Sequence, residues 1–186
     1  MNSTLRPIGL VLGLLLAGAA GAAESQYLFV KGQKSGAIKG GVAVKGQEGA
    51  IQVDSFSYEA TSPRDAQTGL PTGKIQHLPI VVNVPVDNAW PILFQVLTTN
   101  ENLSQVLLRV LAPATGAGGA GAGSQVLQRT VTLTNASISD IKQYTVHGLN
   151  GKPDHDELQI SFTYQSINMT WTNGGITAMD DWEARI

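Results

Sequence analysis

The feature that most constrains this chain is a long strand pattern over residues 157–171. Its apolar residues first occupy alternate positions, at Leu158, Ile160, Phe162 and Tyr164. They then move by one position, to Ile167, Met169 and Trp171. Because the side chains of a strand alternate between two faces, a shift of one residue turns the apolar set to the opposite face. We therefore predict a β-bulge or bend near Gln165 and Ser166, in a sheet that is curved or closed.

A second strand pattern, at residues 50–59, changes phase in the same way. Ile51 and Val53 share one face, whereas Phe56 and Tyr58 share the other. Further strand patterns lie at residues 27–30, 75–84, 105–111 and 125–146, with a weak one at 41–45 and an interruption at 135–137. Two strands with matching changes of phase favour a barrel over a flat sheet.

One segment, residues 87–97, has the pattern of a helix. Asp87 or Asn88 can accept backbone N–H bonds at its start, and Pro91 suits its first turn. An apolar stripe at helical spacing predicts packing against the sheet, and it consists of Trp90, Leu93, Phe94 and Leu97. The predicted fold class is therefore mainly β, a small antiparallel β-barrel with one flanking α-helix, formed by residues 24–186 as one domain.

Residues 1–23 have the pattern of a cleaved signal peptide. Arg6 precedes a run rich in Leu, Gly and Ala, and small residues at Ala20 and Ala22 suit a cleavage site. The run is short and glycine-rich for a membrane span, so we expect no stable membrane anchor after cleavage; a retained anchor is the alternative.

Composition excludes several classes of function. The chain has no cysteine, which rules out disulfides, thiolate metal sites and a thiol nucleophile. Its net charge of −2 provides no basic stripe, so we expect no nucleic-acid partner. Neither a Gly-x-Ser-x-Gly elbow nor a His-Glu-x-x-His pair is present, and no nucleophile and base can be assigned.

Two acidic stretches are candidate sites. His147 and His155 flank a turn with several carboxylates, but the spacing matches no zinc or calcium loop, and a solvated turn is the better interpretation. Asp180 and Asp181, beside Trp182, are interpreted as a docking or capping element. We predict no catalytic residues, no cofactor and no metal, which favours a structural or binding protein.

Two further stretches are predicted loops. Residues 62–74 contain two Pro and two Gly, and this long polar loop is either functional or a mobile connection. Residues 114–123 are a Gly/Ala run that lacks the Lys-Ser/Thr ending of a phosphate-binding loop. We interpret this run as a lengthened hairpin tip, because added loop length costs little closure entropy.

Six segments in order carry a resemblance to a known family. They are residues 51–58 (IQVDSFSY), 62–74 (SPRDAQTGLPTGK), 84–94 (VPVDNAWPILF), 133–141 (LTNASISDI), 157–164 (ELQISFTY) and 174–182 (GGITAMDDW). Together they resemble the haemolysin-coregulated protein (Hcp) family, the tube protein of type VI secretion. The resemblance covers residues 27–184 and is most specific at the Gly-Gly-Ile-Thr-Ala segment.

The resemblance implies a protein that assembles rather than reacts. It implies a homohexameric ring, with rings stacked into a hollow tube inside a contractile sheath, capped by a spike protein and carrying effectors. No catalytic residues carry over. The family's extended loop, which contacts the neighbouring subunit or ring, corresponds to residues 62–74. The candidate interface residues are Ser62, Pro63, Arg64, Asp65, Thr68, Gly69, Leu70, Pro71 and Lys74.

Three features depart from the family pattern. Family tubes assemble in the cytoplasm and usually lack a leader, so the predicted leader indicates export to the periplasm or beyond. Trp90 stands between Asp87 and Pro91, and the Gly/Ala tip is lengthened. The alternative function is a secreted, non-enzymatic ligand- or protein-binding β-barrel that forms no tubes. A secreted hydrolase has the least support, because no nucleophile pairs with a base.

Overall fold

The computed structural model describes residues 24–114, 125–148 and 151–183. The predicted leader and residues 115–123 of the predicted Gly/Ala tip lie outside this part. The described elements are β1 (Ser25–Gly32), β2 (Gly36–Ile38), β3 (Ile51–Val53), β4 (Ser55–Ser57), β5 (Ala60–Thr61), β6 (Gln76–His77), β7 (Ile80–Pro85), α1 (Trp90–Thr98), β8 (Leu103–Pro113), β9 (Gln125–His147), β10 (Pro153–Trp171) and β11 (Ile176–Asp181).

The main sheet is antiparallel and closes on itself through the predicted strand at residues 50–59. Its order is β2-β1-β8-β9-β10-β7-β4, with β3 on β1 and β11 on β10. Asp54 divides the predicted strand: β3 pairs with β1, whereas β4 pairs with β7 at the far end of the sheet. The change of phase between Val53 and Phe56 is therefore the point at which one strand passes from one end of the sheet to the other. This connection closes the barrel, and the predicted fold class is confirmed.

The core forms where apolar residues of neighbouring strands lie directly opposite each other. Val82 pairs with Ile160, and Ile80 pairs with Phe162, whose side chain is 0% exposed. The same alternation of buried and exposed residues extends through β1 and β8. Burying each large apolar side chain contributes about 1.5–3 kcal/mol, so this interior is the main source of stability.

The predicted change of phase in the long strand is present, but the predicted bulge lies elsewhere. The buried positions of β10 are even-numbered up to Phe162, and the next buried residue is Ile167. Between these two residues, the strand that pairs with β10 on the side away from β9 changes from β7 to β11. The register with β9 shifts at Ser161/Phe162 and not at Gln165 and Ser166. The predicted interruption at residues 135–137 is wrong, because β9 is continuous there. Asn135 instead takes a φ of 52° and donates from Nδ2 to Gln165 Oε1 at 2.7 Å.

The helix is present, but its buried stripe differs from the prediction. Leu93 and Val96 are buried, whereas Trp90 and Phe94 are 36% and 52% exposed. The stripe that faces the sheet therefore consists of Ala89, Leu93 and Val96, at positions i, i+4 and i+7. Two adjacent stripes in this helix are apolar, and only packing on the barrel selects between them.

Asp87 holds the start of the helix without being its cap residue. Its Oδ1 accepts the Ala89 N–H at 2.9 Å, and its Oδ2 accepts the Gly41 N–H at 2.9 Å. The cap residue itself is Ala89. Within the described residues, no helix combines the length and the apolar character needed to cross a bilayer.

Three other predicted elements need correction. The weak strand at residues 41–45 is a set of turns, and Gly36–Ile38 pairs with β1 instead. The predicted strand at 75–84 is divided by Leu78 and Pro79 into β6 and β7, because proline has no N–H for a ladder bond. The segment after the long strand, in which the sequence patterns place no strand, forms one at Ile176–Asp181, which adds to β10.

One buried carboxylate organises the turn after β1. Glu101 is 7% exposed, and its Oε1 accepts the Lys34 and Ser35 N–H groups at 2.7 Å. The Ser35 hydroxyl donates to Oε2 at 2.6 Å. A Cβ at Gly32 would lie 2.3 Å from Oε1, so a larger residue there would displace the carboxylate from this position. These bonds, that of the Ser35 hydroxyl first, lower the pKa of Glu101.

Candidate functional site

The nine candidate interface residues lie together in one hairpin, residues 60–77, that leaves the barrel between β4 and β7. Strands β5 and β6 pair at its base, and Arg64 and Pro71 form an isolated bridge further out. Pro63 and Asp65 are partly buried, and the other seven candidates are exposed. The structure therefore places the predicted loop as a paired hairpin with little cover from the rest of the chain.

The tip of the hairpin is held by Asp65. Its Oδ1 accepts the backbone N–H of Gln67 and Thr68 at 3.0 and 2.7 Å, and the Thr68 hydroxyl at 2.8 Å. The hydrogen bond from the Thr68 N–H is the first cause of the lowered pKa of Asp65. Gly69 has a φ of 71°, and its carbonyl accepts a bond from Arg64 Nη1 at 3.1 Å. The tip is therefore a shaped turn rather than an extended connection.

The base of the hairpin is fixed by His77. The His77 side chain is 5% exposed, and its Nε2 lies 2.6 Å from Asp180 Oδ2 on β11. Its Nδ1 lies 3.0 Å from the Tyr58 hydroxyl. The imidazole therefore links the residues after β4, the hairpin and the last strand. Sequence analysis missed this contact because 103 positions separate His77 from Asp180.

Aromatic rings surround the imidazole. The ring centroids of Tyr164 and Trp182 lie 5.9 and 5.6 Å from that of His77. The Trp182 position confirms that the tail docks onto the barrel, as interpreted from the sequence. Burial raises the pKa of Tyr164 far above its usual range, and burial also raises that of Tyr58. Both phenols remain protonated at neutral pH. The Tyr58 hydroxyl bonds the imidazole, whereas the buried Tyr164 hydroxyl has no hydrogen-bond partner among the described residues and its ring packs edge-on against His77.

The hairpin and the last strand together form a surface with exposed apolar residues. We define this hairpin–β11 surface as residues 60–78, Trp171 and residues 176–182. Of thirteen large apolar residues exposed in the described chain, seven belong to this surface: Leu70, Ile75, Leu78, Trp171, Ile176, Met179 and Trp182. A cleft of about 610 Å³ separates the hairpin from residues 180–182. A second groove, of about 520 Å³, lies between Phe56 and Ile176.

Strand β11 presents an open edge on this surface. Its inner edge pairs with β10 from Ser166 to Trp171, and within the described chain no strand covers its outer edge. Gly174 and Gly175, with φ of 87° and 64°, form the turn that returns the chain to β10. Open edges and large apolar patches are features of surfaces that bind other chains.

Comparison with protein families gives one match over most of the chain. The model of the family described as "Type VI secretion system effector, Hcp" matches residues 27–171. A relative from Pseudomonas aeruginosa strain PAO1, named "Major exported protein", is 31% identical over 176 residues. This alignment covers 88% of the present chain and 98% of the relative.

Solved structures of similar proteins share the fold. A variant of the Hcp1 protein of E. coli EAEC 042 matches with a TM-score of 0.73 at 26% identity, covering 86% of this chain and 99% of that one. The secreted protein Hcp3 of Pseudomonas aeruginosa matches with a TM-score of 0.67 at 28% identity, covering 87% and 100%.

Proposed function

Because this chain belongs to the Hcp family of type VI secretion tube proteins, we propose that it works by assembling into hexameric rings that stack into a hollow tube. The observation that carries this proposal is the hairpin–β11 surface, where most of the exposed large apolar residues adjoin an open strand edge. Large exposed apolar patches on a single domain are characteristic of surfaces that bind other chains.

A closed ring needs two different patches on each subunit, because each copy contacts its neighbours head to tail. The hairpin supplies a protruding element, with Leu70 at its tip 65% exposed. The groove beside Phe56, Trp171 and Ile176 supplies a concave one. We propose that the nine hairpin residues, from Ser62 to Lys74, contact the neighbouring subunit or ring.

The further partners follow from family membership. We propose that the assembled tube is enclosed by a sheath, capped by a spike protein and loaded with effectors. We also propose that the protein is exported, as the name of its Pseudomonas relative says of that protein. Residues 1–23 would be removed as a leader. Mass spectrometry of the protein recovered from periplasm and culture medium tests this: a chain beginning near Glu24 is expected, and an uncleaved Met1 would contradict it.

Oligomeric state tests the assembly directly. Light scattering after size exclusion should give the mass of six subunits, and negative-stain microscopy should show rings. Exchanging Leu70 and Met179 for Asp, residues that are 65% and 72% exposed, should shift the protein to monomers. The matched control is Val44→Asp, at a residue 51% exposed in the turn before β3. A folded wild-type protein that stays monomeric at high concentration would overturn the proposal.

Deletion of residues 62–74 separates this function from the alternative. If the hairpin carries the contact, the deletion abolishes self-association while circular dichroism still shows the β-barrel. If self-association is unchanged, the hairpin assignment is wrong. A wild-type protein that does not self-associate is better described by the alternative, a secreted binding barrel.

A further inference from the structure

A separate cluster lies where the barrel closes. Asp54 stands between β3 and β4, and His155 and Glu157 lie two positions apart on β10. Because residues i and i+2 of a strand point to the same face, His155 and Glu157 project together. One ligand atom from each of the three residues lies within 4.8 Å of the others. The structure thus adds Asp54 to a segment whose sequence spacing predicts only a solvated turn.

The side chains of this cluster are oriented by outer hydrogen bonds. Asp154 Oδ2 lies 3.2 Å from His155 Nδ1, which leaves Nε2 directed toward Glu157 Oε1 at 3.1 Å. The Tyr144 hydroxyl donates to Glu157 Oε2 at 2.5 Å. In proteins, the imidazole and carboxylate groups that bind metals are commonly held in place by such hydrogen bonds: a carboxylate bonds the second nitrogen of the imidazole, and a donor bonds the second oxygen of the ligating carboxylate.

The cluster lies at the surface, with one of its members partly covered. Asp54 and His155 are exposed, whereas the Glu157 side chain is 14% exposed. The ligand oxygens of Asp54 and Glu157 lie within 4.8 Å of each other, so these two carboxylates repel each other when no cation lies between them. Among the described residues, the salt bridges of Glu157 and Asp154 are with His155, and none involves Lys or Arg.

We propose that Asp54, His155 and Glu157 bind a divalent transition-metal ion of the Zn²⁺ class. One imidazole nitrogen and two carboxylate oxygens suit Zn²⁺, whereas Ca²⁺ takes oxygen ligands alone. Strand β7 lies between β4 and β10 in the sheet. Such an ion would therefore link Asp54, at the connection between β3 and β4, to β10. It therefore stabilises the closure of the barrel. This proposal does not rest on ring assembly, because none of the three residues belongs to the hairpin–β11 surface.

Isothermal titration of the purified, EDTA-treated protein with ZnCl₂ tests the site, with CaCl₂ as the comparison ion. We expect one Zn²⁺ per chain with micromolar affinity and much weaker Ca²⁺ binding. The variants Asp54→Asn and His155→Gln should each bind Zn²⁺ at least tenfold more weakly. The matched control, Asp156→Asn, changes a carboxylate that faces away and bonds the Thr145 hydroxyl at 2.7 Å, and it should bind normally.

Thermal unfolding gives a second readout. Saturating Zn²⁺ should raise the Tm of the wild-type protein by about 4 °C or more, and should leave that of His155→Gln unchanged. Absence of Zn²⁺ binding, equal affinity for Ca²⁺, or binding that survives both ligand variants would overturn the proposal. An equal loss of Zn²⁺ affinity in Asp156→Asn would also overturn the proposal, because it would indicate that Zn²⁺ is attracted to the negative charge of the region and not bound by the three ligands.

Discussion

Phe162 in the barrel core and His77 at the base of the hairpin are both almost fully buried, but different contacts bury them. Phe162 is enclosed by apolar residues of paired strands, such as Ile80 directly opposite. His77 is enclosed by a carboxylate, a phenol and two further aromatic rings from distant segments. The core therefore draws its stability from many equivalent contacts, whereas the hairpin depends on a few specific ones.

This difference assigns separate tasks to the two regions. The core is closely packed between paired strands and tolerates little change in side-chain volume. The hairpin is paired over short lengths and is exposed along most of its residues. Substitutions in the core should lower global stability, whereas substitutions in the hairpin should alter its position and its contacts with other copies. Four predictions test this separation, in decreasing order of their expected effect on the free energy of unfolding.

Phe162→Ala should have the largest effect. It removes a fully buried ring from the centre of the barrel, and it should lower the free energy of unfolding by about 3–5 kcal/mol. Equilibrium unfolding in urea measures this loss. Thr163→Ala, at the adjacent exposed position, is the control and should be nearly neutral. A similar loss in both variants would show that the two faces of β10 are not distinct.

Glu101→Gln should have the next effect, and it tests the turn after β1. The folded-state pKa of Glu101 is lowered from 4.5, so its stabilising contribution is present above that value and is lost as the pH falls below it toward the folded pKa. The wild-type Tm should therefore fall in this acidic range. Glu101→Gln should lower the Tm at pH 7 and weaken this acid dependence, as measured by calorimetry from pH 7 to 3. Glu59→Gln, an exposed control, should follow the wild-type profile.

His77→Ala should cost about 1–2 kcal/mol, because it leaves the Tyr58 hydroxyl and Asp180 without this partner. The more informative result is local. Amide hydrogen exchange should become faster in the hairpin and in β11, while β9 and the first half of β10 keep their protection. His147→Ala, at an exposed histidine, should change neither. Uniformly faster exchange across the barrel would mean that His77 supports the core as well.

Asp65→Ala should have the smallest global effect, with little change in the free energy of unfolding, because the residue lies outside the core. It removes three hydrogen bonds that shape the hairpin tip. Trypsin cleavage after Arg64 should therefore become faster, while the Tm stays the same. Gln67→Ala provides the control, since in the described contacts its backbone rather than its side chain bonds Asp65. An unchanged cleavage rate in Asp65→Ala would show that the tip does not need this side chain.

The sequence by itself determined the fold class, the change of phase in two strands and the location of the hairpin. These features are local or periodic, because alternation of apolar residues directly reflects which face of a strand is buried. The ordered motifs also identified the family. The helix predicted at residues 87–97, and present at Trp90–Thr98, was located for the same reason, although its two adjacent apolar stripes left open which of them packs on the barrel.

Only the tertiary structure decided how distant residues meet. It showed that Asp54 is the crossing that closes the barrel, that His77 pairs with Asp180, and that the final segment is a strand with an open edge. Strand pairing joins residues that are far apart in the chain, so no local pattern specifies such contacts. The same reason explains why Asp54 could not be connected with His155 and Glu157 before the barrel was seen to close.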